Sequence, residues 1–296
     1  MLEHVEAPIP EVGRGDALIE IHAASVNPVD WKIRQGLLKE FFRWTLPAVP
    51  GRDASGVVIH VGPEVTNVKV GEEVCFIAGG SAGGTYAELA TVDARVLVRK
   101  PPRLTHVEAA AFPLVGVTAW IALVETAVVG PGMNVLVHGG AGGVGGMAVQ
   151  LAKYKGADVT ATCRASNIDY VLGLGAGSVV AYDKEDFSAV LKDYDVVFDS
   201  IGGEVHRHSY RVLKPGGTIV YLIAAPIEDL SDQFDVTTKQ APVRDDASVL
   251  KSVAKLVESG AIQPQVWKVL PLSEAVQAHR LSEAGHARGK IVLQVR

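Results

Sequence analysis

Alternation of apolar and polar positions dominates the first hundred residues. In "ALIEIHAASV" (17–26), Ile19, Ile21 and Ala23 fall on one side, the period of a half-buried strand. "ASGVVIHVG" (54–62) runs to a Gly62-Pro63 turn. "EEVCFIA" and "TYAELATV" follow, with "GGSAGG" between them, and "RVLVRKP" closes the section. Short strands punctuated by Gly and Pro predict a compact antiparallel barrel or sandwich.

The period changes near Glu108. "EAAAFPLVGVTAWIALVETA" carries an apolar face at helical spacing. Strands are then predicted at 134–138, 158–162, 178–181, 196–199 and 218–223. Helices at 143–155, 168–174, 187–191 and 204–213 separate them, and "VTTKQAP" is a candidate sixth strand. Such alternation predicts a parallel, doubly wound sheet with helices on both faces. "SVLKSVAKLVESG" reads as a helix ending at Gly260. The tail regains strand character around a helix at 273–283 and is expected to rejoin the first domain. The fold class is therefore α/β, with a Rossmann-type sheet at 109–261 and a β-rich domain built from 1–108 and 262–296.

The 296-residue length suits two domains. With 48% hydrophobic and 21% charged residues the chain can bury a sizeable core. A net charge of −5 and no run of Lys or Arg weigh against nucleic acid or an anionic membrane as partner. Two cysteines, Cys75 and Cys163, make neither a disulfide framework nor a four-thiolate zinc site. They fit a reducing cytoplasm, and the first residues do not read as a signal peptide. No apolar run is long enough to span a bilayer.

Gly140-Ala141-Gly142-Gly143-Val144-Gly145 fits G-x-G-x-x-G between a predicted strand and a predicted helix. Glycines there permit a tight turn and close backbone approach, and the helix N-terminus offers N–H groups to a diphosphate. A glycine-rich turn without ligand is the plainer alternative. NAD binders place an acid at the end of the second strand to hold the ribose 2′-OH. Here "TATCRAS" has none; Arg164 and Ser166 stand there instead, suited to a 2′-phosphate and so to NADP(H). An Arg164 that is merely solvated is the competing reading.

"HAASVNPVDWKIRQG", "VPGRDASGVV", "VGEEV", "FPLVGVTAW", "HGGAGGVGGMAVQLAK" and "GHARGKIVLQV" together resemble the medium-chain dehydrogenase/reductase superfamily, in its zinc-free quinone oxidoreductase (zeta-crystallin-like) branch. The resemblance spans nearly the whole chain. It implies a GroES-like β-barrel domain formed from both chain ends and a Rossmann domain between them. It also implies a homodimer. Zinc-dependent members carry a Cys where this chain has Pro28-Val29-Asp30 and a His-Glu pair where it has Arg52-Asp53. They also have a four-cysteine lobe that is missing here. No metal is expected. Relatives usually open with a strand ahead of "LEHVEAPIP" that this sequence does not show, so either the start is misplaced or the barrel lacks an edge there.

Without a Lewis acid the acceptor must already be activated. A quinone or an α,β-unsaturated carbonyl qualifies, because hydride addition leaves a delocalised anion. By the resemblance, Asn27 bonds the substrate carbonyl or the nicotinamide ribose, and Lys32 meets the ribose or diphosphate. Asp30 is expected to position Lys32. An Asn-Pro turn accounts for Asn27 as well. Thr118 is implied to contact cofactor, and a helix-interior hydroxyl is its alternative. Tyr182 is implied near the 2′-phosphate. Ser200, in "FDSIGG", lies on a loop expected to face the cofactor, and Asp199 reads as a turn residue. Lys290 is expected to return from the tail toward the site. Trp31, Phe41, Phe42 and Trp44 are candidate pocket walls or core. No side-chain general acid declares itself. An enoyl-thioester reductase and a non-catalytic, crystallin-like NADPH-binding protein remain the alternatives to an NADPH-dependent quinone or alkenal reductase.

Overall fold

The alternating segments do form strands. The structure is a computed structural model, and it describes residues 2–40, 45–79, 84–222 and 226–296. Two compact units divide it: 1–114 with 245–258 and 264–296, and 115–244 with 259–263. The first break thus falls at Leu114 rather than at Glu108. Most of the 247–259 helix, expected with the Rossmann domain, joins the first unit.

The first unit holds β1 (Asp16–Val26), α1 (Pro28–Arg34), β2 (Asp53–Val61), β3 (Glu73–Ile77), β4 (Leu89–Asp93), β5 (Val98–Arg99) and α2 (His106–Ala110). From further along the chain come α9 (Ala247–Ser259), β12 (Val266–Pro271), α10 (Ala275–Glu283) and β13 (Lys290–Gln294). The strands make one sheet in the order β12-β13-β1-β2-β3-β5, with β4 also paired to β1. β1 is its centre because every second residue, Ile19 and Ile21 among them, is fully buried beside Val58, Phe76 and Leu293. The expected return of the tail is an antiparallel pairing of β13 with β1.

The second unit contains α3 (Pro113–Trp120, from Val115 on), β6 (Asn134–Val137), α4 (Gly143–Tyr154), β7 (Asp158–Cys163), α5 (Ile168–Gly173) and β8 (Ser178–Ala181). After these come α6 (Phe187–Val190), β9 (Tyr194–Asp199), α7 (Gly203–Ser209), β10 (Leu213–Tyr221), α8 (Ser231–Phe234) and β11 (Thr237–Gln240). Its sheet is wholly parallel in the order β11-β10-β9-β6-β7-β8. Val135, Leu136 and Val137 are buried on both faces, as a central parallel strand requires. The order reverses direction at β6 and β9, and ligands of such sheets bind beyond the carboxyl ends of the strands at that point.

Two local expectations change. The apolar stretch after Glu108 is three pieces, not one helix. Pro113 lacks an N–H and opens a new helix, and the chain then widens into a π-turn at Ile121–Thr126, where the Ala127 N–H bonds Ala122 O. β10 begins at Leu213, ahead of the "KPGG" turn, which bulges out of register before pairing resumes at Thr218. Ile223 lies outside the described residues.

His279 on α10 is fully buried, edge-on to the Tyr86 ring at 5.6 Å. Neither ring nitrogen has a hydrogen-bond partner among the described residues. Burial, with Arg34 nearby, pushes its pKa down from 6.5 to about 4. Between those values the unfolded chain binds a proton that the folded chain refuses, so stability falls as pH drops through that window. His279→Leu is expected to raise Tm by removing an unpartnered polar ring, and to raise it more at pH 5 than at pH 7.5. Thermal unfolding at both pH values checks this; a Tm lowered equally at both overturns it.

Candidate functional site

In the first unit the site residues converge on one ammonium group. β1 ends at Val26, Asn27 precedes the first turn of α1, and Pro28 starts that helix, where its missing N–H costs nothing. β13 pairs Ile291 with Val26, which brings Lys290 to the same end. Lys290 Nζ donates to Val26 O at 2.9 Å and to Asn27 Oδ1, and sits 3.6 Å from Asp53 Oδ2. Asp53 Oδ2 also accepts from Ser25 Oγ and Asn27 Nδ2, each at 2.9 Å, while its Oδ1 accepts the Leu114 N–H at 2.8 Å. Asp30 Oδ2 accepts the Asn27 N–H at 2.8 Å and the Tyr86 hydroxyl at 2.9 Å.

Asp53, Asp30 and Lys290 are 0%, 1% and 4% exposed, so one ammonium faces two carboxylates out of water. Burial raises the Asp30 carboxyl to about 6, against the opposing pull of the Asn27 N–H, the Tyr86 hydroxyl and Lys290. Burial lowers Lys290, opposed by Asp53 and Asp30. Tyr86 is held well above its ordinary value by burial and by Asp30.

The expectation that Asp30 positions Lys32 is corrected. Its hydrogen bonds go to Asn27 and Tyr86, because the Asp30 side chain turns inward from α1. Asn27 spends its amide on Asp53 and its carbonyl on Lys290, so its side chain organises the network from within. Lys32 is half-buried, with Nζ 5.6 Å from the Trp31 ring centre, and burial lowers its pKa. Phe41, Phe42 and Trp44 lie outside the described residues. Tyr86 was not singled out from sequence, where it reads only as a strand aromatic. Asp53 registered only as a replaced zinc ligand.

In the second unit the glycine turn sits where the sheet order reverses. Gly139 has φ +68°, a conformation that favours glycine. The Gly142 N–H closes onto Gly139 O at 2.9 Å, and the Gly140 N–H bonds Thr162 O at 2.9 Å. A Cβ on Gly145 would lie 2.1 Å from Gly139 O, and one on Gly140 would lie 2.8 Å from the Ala161 Cβ. Any larger residue would open the turn. Ala141 and Gly142 lead into α4, and no side chain caps it at Gly142. The first-turn N–H groups of Gly143, Val144 and Gly145 therefore suit a diphosphate. Ser200, after β9, donates to His138 O at 3.2 Å and so borders the turn. Thr118 is buried within α3.

Adjacent strands bring the 2′-phosphate candidates together. Cys163 at the end of β7 pairs with Ala181 at the end of β8, so Arg164 and Tyr182 emerge side by side. Arg164 Nε donates to Tyr182 Oη at 3.3 Å, and both residues are exposed, as is Ser166. Asp183 was not weighed from sequence; it accepts the Ala165 N–H at 2.8 Å. A cation and two hydroxyls here fit a phosphorylated ribose. Gly139, one residue before the motif, is the other position sequence reading passed over.

Among the described residues no group of three His, Cys, Asp or Glu is arranged to hold a metal ion. Arg52, beside Asp53, donates to Ala78 O at 3.0 Å and pairs with Asp245.

Comparison with known proteins shows the family and the fold. The alcohol dehydrogenase GroES-like domain family matches residues 13–102, and the zinc-binding dehydrogenase family matches 174–293. The chain is 34% identical to the chloroplast envelope quinone oxidoreductase homolog of Arabidopsis thaliana, over 99% of this chain and 94% of that protein. It is 36% identical to the NADPH-dependent alkenal/one oxidoreductase of the same plant, over 96% of this chain and 73% of that one. The structure of the quinone oxidoreductase from Coxiella burnetii superimposes with a TM-score of 0.91 at 37% identity, covering 99% and 94% of the two chains.

Two substitutions test the buried network. Lys290→Met leaves two carboxylates without their cation and is expected to cost about 3–5 kcal/mol of stability, read by urea unfolding. Asp30→Asn keeps an acceptor for Asn27 and Tyr86 but cannot ionise. A carboxyl raised to about 6 stabilises the fold when protonated and loses that contribution as pH rises through 6. The Tm difference between Asp30→Asn and the parent is therefore expected to move in the variant's favour from pH 5 to pH 7.5. A constant difference would contradict the assignment.

Proposed function

The chain belongs to the medium-chain dehydrogenase/reductase superfamily and is an oxidoreductase that binds a nicotinamide cofactor, and on that premise we propose that it uses NADPH to reduce quinones or α,β-unsaturated carbonyls without zinc. The observation that carries the zinc-free reading is the state of Asp53. Its two carboxylate oxygens already accept from Ser25, Asn27 and the Leu114 N–H, and the Lys290 Nζ lies 3.6 Å from Oδ2. A metal ion there would compete with these donors and lie beside the Lys290 ammonium.

The nicotinamide supplies the hydride. The residues of the chain bind and orient. The glycine turn and the first N–H groups of α4 take the diphosphate. Arg164, with Tyr182 and Ser166, takes the 2′-phosphate, since a guanidinium matches phosphate geometry. With no Lewis acid to polarise it, the acceptor must delocalise the charge that hydride brings. That favours quinones, alkenals and alkenones over simple ketones. The quinone and alkenal names carried by its relatives point the same way.

Steady-state oxidation of NADPH and NADH over a panel of quinone, alkenal, alkenone and saturated ketone tests the reading. Turnover is expected with the first three acceptors, with NADPH preferred, and a metal chelator should leave it unchanged. Arg164→Ala is expected to raise KM for NADPH by about tenfold, the scale of one charge-assisted phosphate contact, and to leave KM for NADH nearly untouched. Turnover confined to enoyl thioesters would favour the thioester reductase, and tight NADPH binding with no turnover of any acceptor would favour a non-catalytic role.

A further inference from the structure

Beyond the glycine turn, the second unit contains a buried chain of polar side chains that the proposed chemistry does not use. Asp199 ends β9, and its Oδ1 accepts the N–H groups of Ile201 at 2.8 Å and Gly202 at 3.0 Å. Its Oδ2 meets His206 Nδ1 at 2.8 Å. His206 Nε2 lies 3.1 Å from Tyr210 Oη, which lies 2.8 Å from Thr238 Oγ1 on β11. Asp199, His206 and Tyr210 are each 0% exposed. The His206 ring is also held edge-on by Tyr210 and Tyr221, both at 5.3 Å.

The direction of the chain follows from its end group. Burial alone would raise the Asp199 carboxyl, but His206 and the Gly202 and Ile201 N–H groups outweigh it and hold its pKa below the ordinary carboxylate range. An ionised carboxylate only accepts, so His206 carries its proton on Nδ1. Nε2 meets the Tyr210 hydroxyl, which also lies 2.8 Å from Thr238 Oγ1 and reaches Asp229 Oδ1 at 3.4 Å. The Nδ1–H donated to the Asp199 carboxylate is the charge-assisted bond of the chain.

The backbone that Asp199 grips is the wall of the glycine turn. Ser200 donates to His138 O at 3.2 Å. A Cβ on Gly139 would lie 3.3 Å from Ile201 Cδ1 and 3.4 Å from Ser200 Oγ. Beyond Ile201 the chain passes through left-handed φ at Gly202 (+81°) and Gly203 (+58°), so no regular ladder fixes the loop. Its shape depends on the Asp199 carboxylate, and the carboxylate's rotamer depends on His206.

We propose that His206 is a positioning residue for the dinucleotide, acting through Asp199 to hold the Ser200–Gly202 loop against the glycine turn. This rests on a nicotinamide cofactor lying at that turn and is independent of which acceptor is reduced.

Two isosteres separate positioning from filling. The Asn side-chain nitrogen overlays Nδ1 of histidine and can still donate to Asp199, though it loses Tyr210. The Gln side-chain amide reaches the position of Nε2, where its nitrogen can donate to the Tyr210 hydroxyl or its oxygen accept from it, and it loses Asp199. NADPH affinity is read by its fluorescence on binding, with kcat at saturating NADPH and Tm alongside. His206→Asn is expected to hold the dissociation constant within about threefold of the parent, whereas His206→Gln should weaken it about tenfold, the scale of one charge-assisted hydrogen bond. The kcat of both should stay within about twofold. Tyr210→Phe, which cuts the chain beyond His206, should lower Tm and leave NADPH affinity intact. Equal effects of Asn and Gln on affinity, or no effect of either, would overturn the proposal.

Should the Gln variant fail to fold, amide hydrogen exchange across 199–203 in His206→Asn and His206→Leu decides instead. Protection kept in the Asn variant and lost in the Leu variant supports the proposal; equal protection in the two refutes it. A parent protein that binds neither NADPH nor NADH would instead refute the cofactor assignment itself.

Discussion

The first unit is organised around the buried ammonium of Lys290. A charge removed from water costs several kcal/mol unless it is paired and fully hydrogen-bonded. Here the requirement is met by groups from the opposite end of the sequence: Val26 O, Asn27 Oδ1 and the Asp53 carboxylate. None of these partners is worth burying alone. Asp53 needs the cation, and Asn27 needs an acceptor for its amide and a donor for its carbonyl. The seam between β1 and β13 is therefore held by more than strand pairing. The polar groups are satisfied only when both ends of the chain are in register, since a one-residue slip would turn Lys290 to the other face.

The second unit solves a different problem with backbone rather than side chains. Its glycine turn leads into a helix that no side chain caps at Gly142, so the first N–H groups of α4 are open as donors among the described residues. Rigidity must then come from outside the turn. Thr162 O holds the Gly140 N–H from the neighbouring strand, and the loop after β9 leans on Gly139 from the other side. Open donors and a tightly held frame are two parts of one design: donors fixed in place before the ligand arrives bind it without ordering themselves.

What the sequence disclosed followed from period and punctuation. The strands of the second unit were legible because a parallel strand buried on both faces is a short apolar run, as at "NVLV", and its helices begin at glycine or polar signals. The apolar run after Glu108 misled for the same reason. A segment buried on every side has no face to reveal Pro113 as a fresh start or the π-turn that follows. The site was legible where chemistry is written in adjacent residues. The glycine motif is contiguous, and Arg164 follows its strand directly. The networks were not, because they join distant positions. Nothing near Tyr86 announces Asp30, and nothing near His206 announces Thr238. A long-range hydrogen bond leaves no local periodic mark.

The fate of Asp53 shows how far one such bond can redirect chemistry. Placed in the stretch where zinc-dependent relatives carry a His-Glu pair, a carboxylate by itself would remain a plausible metal ligand. The proposed zinc-free reading rests on its company. Ser25 and Asn27 supply neutral donors to one oxygen, the Leu114 N–H takes the second, and the Lys290 ammonium lies 3.6 Å away. A ligand oxygen must offer a lone pair in the right direction, and here both oxygens already accept from within the fold. The residues that stabilise the first unit are thus also the ones on which the proposed zinc-free chemistry rests.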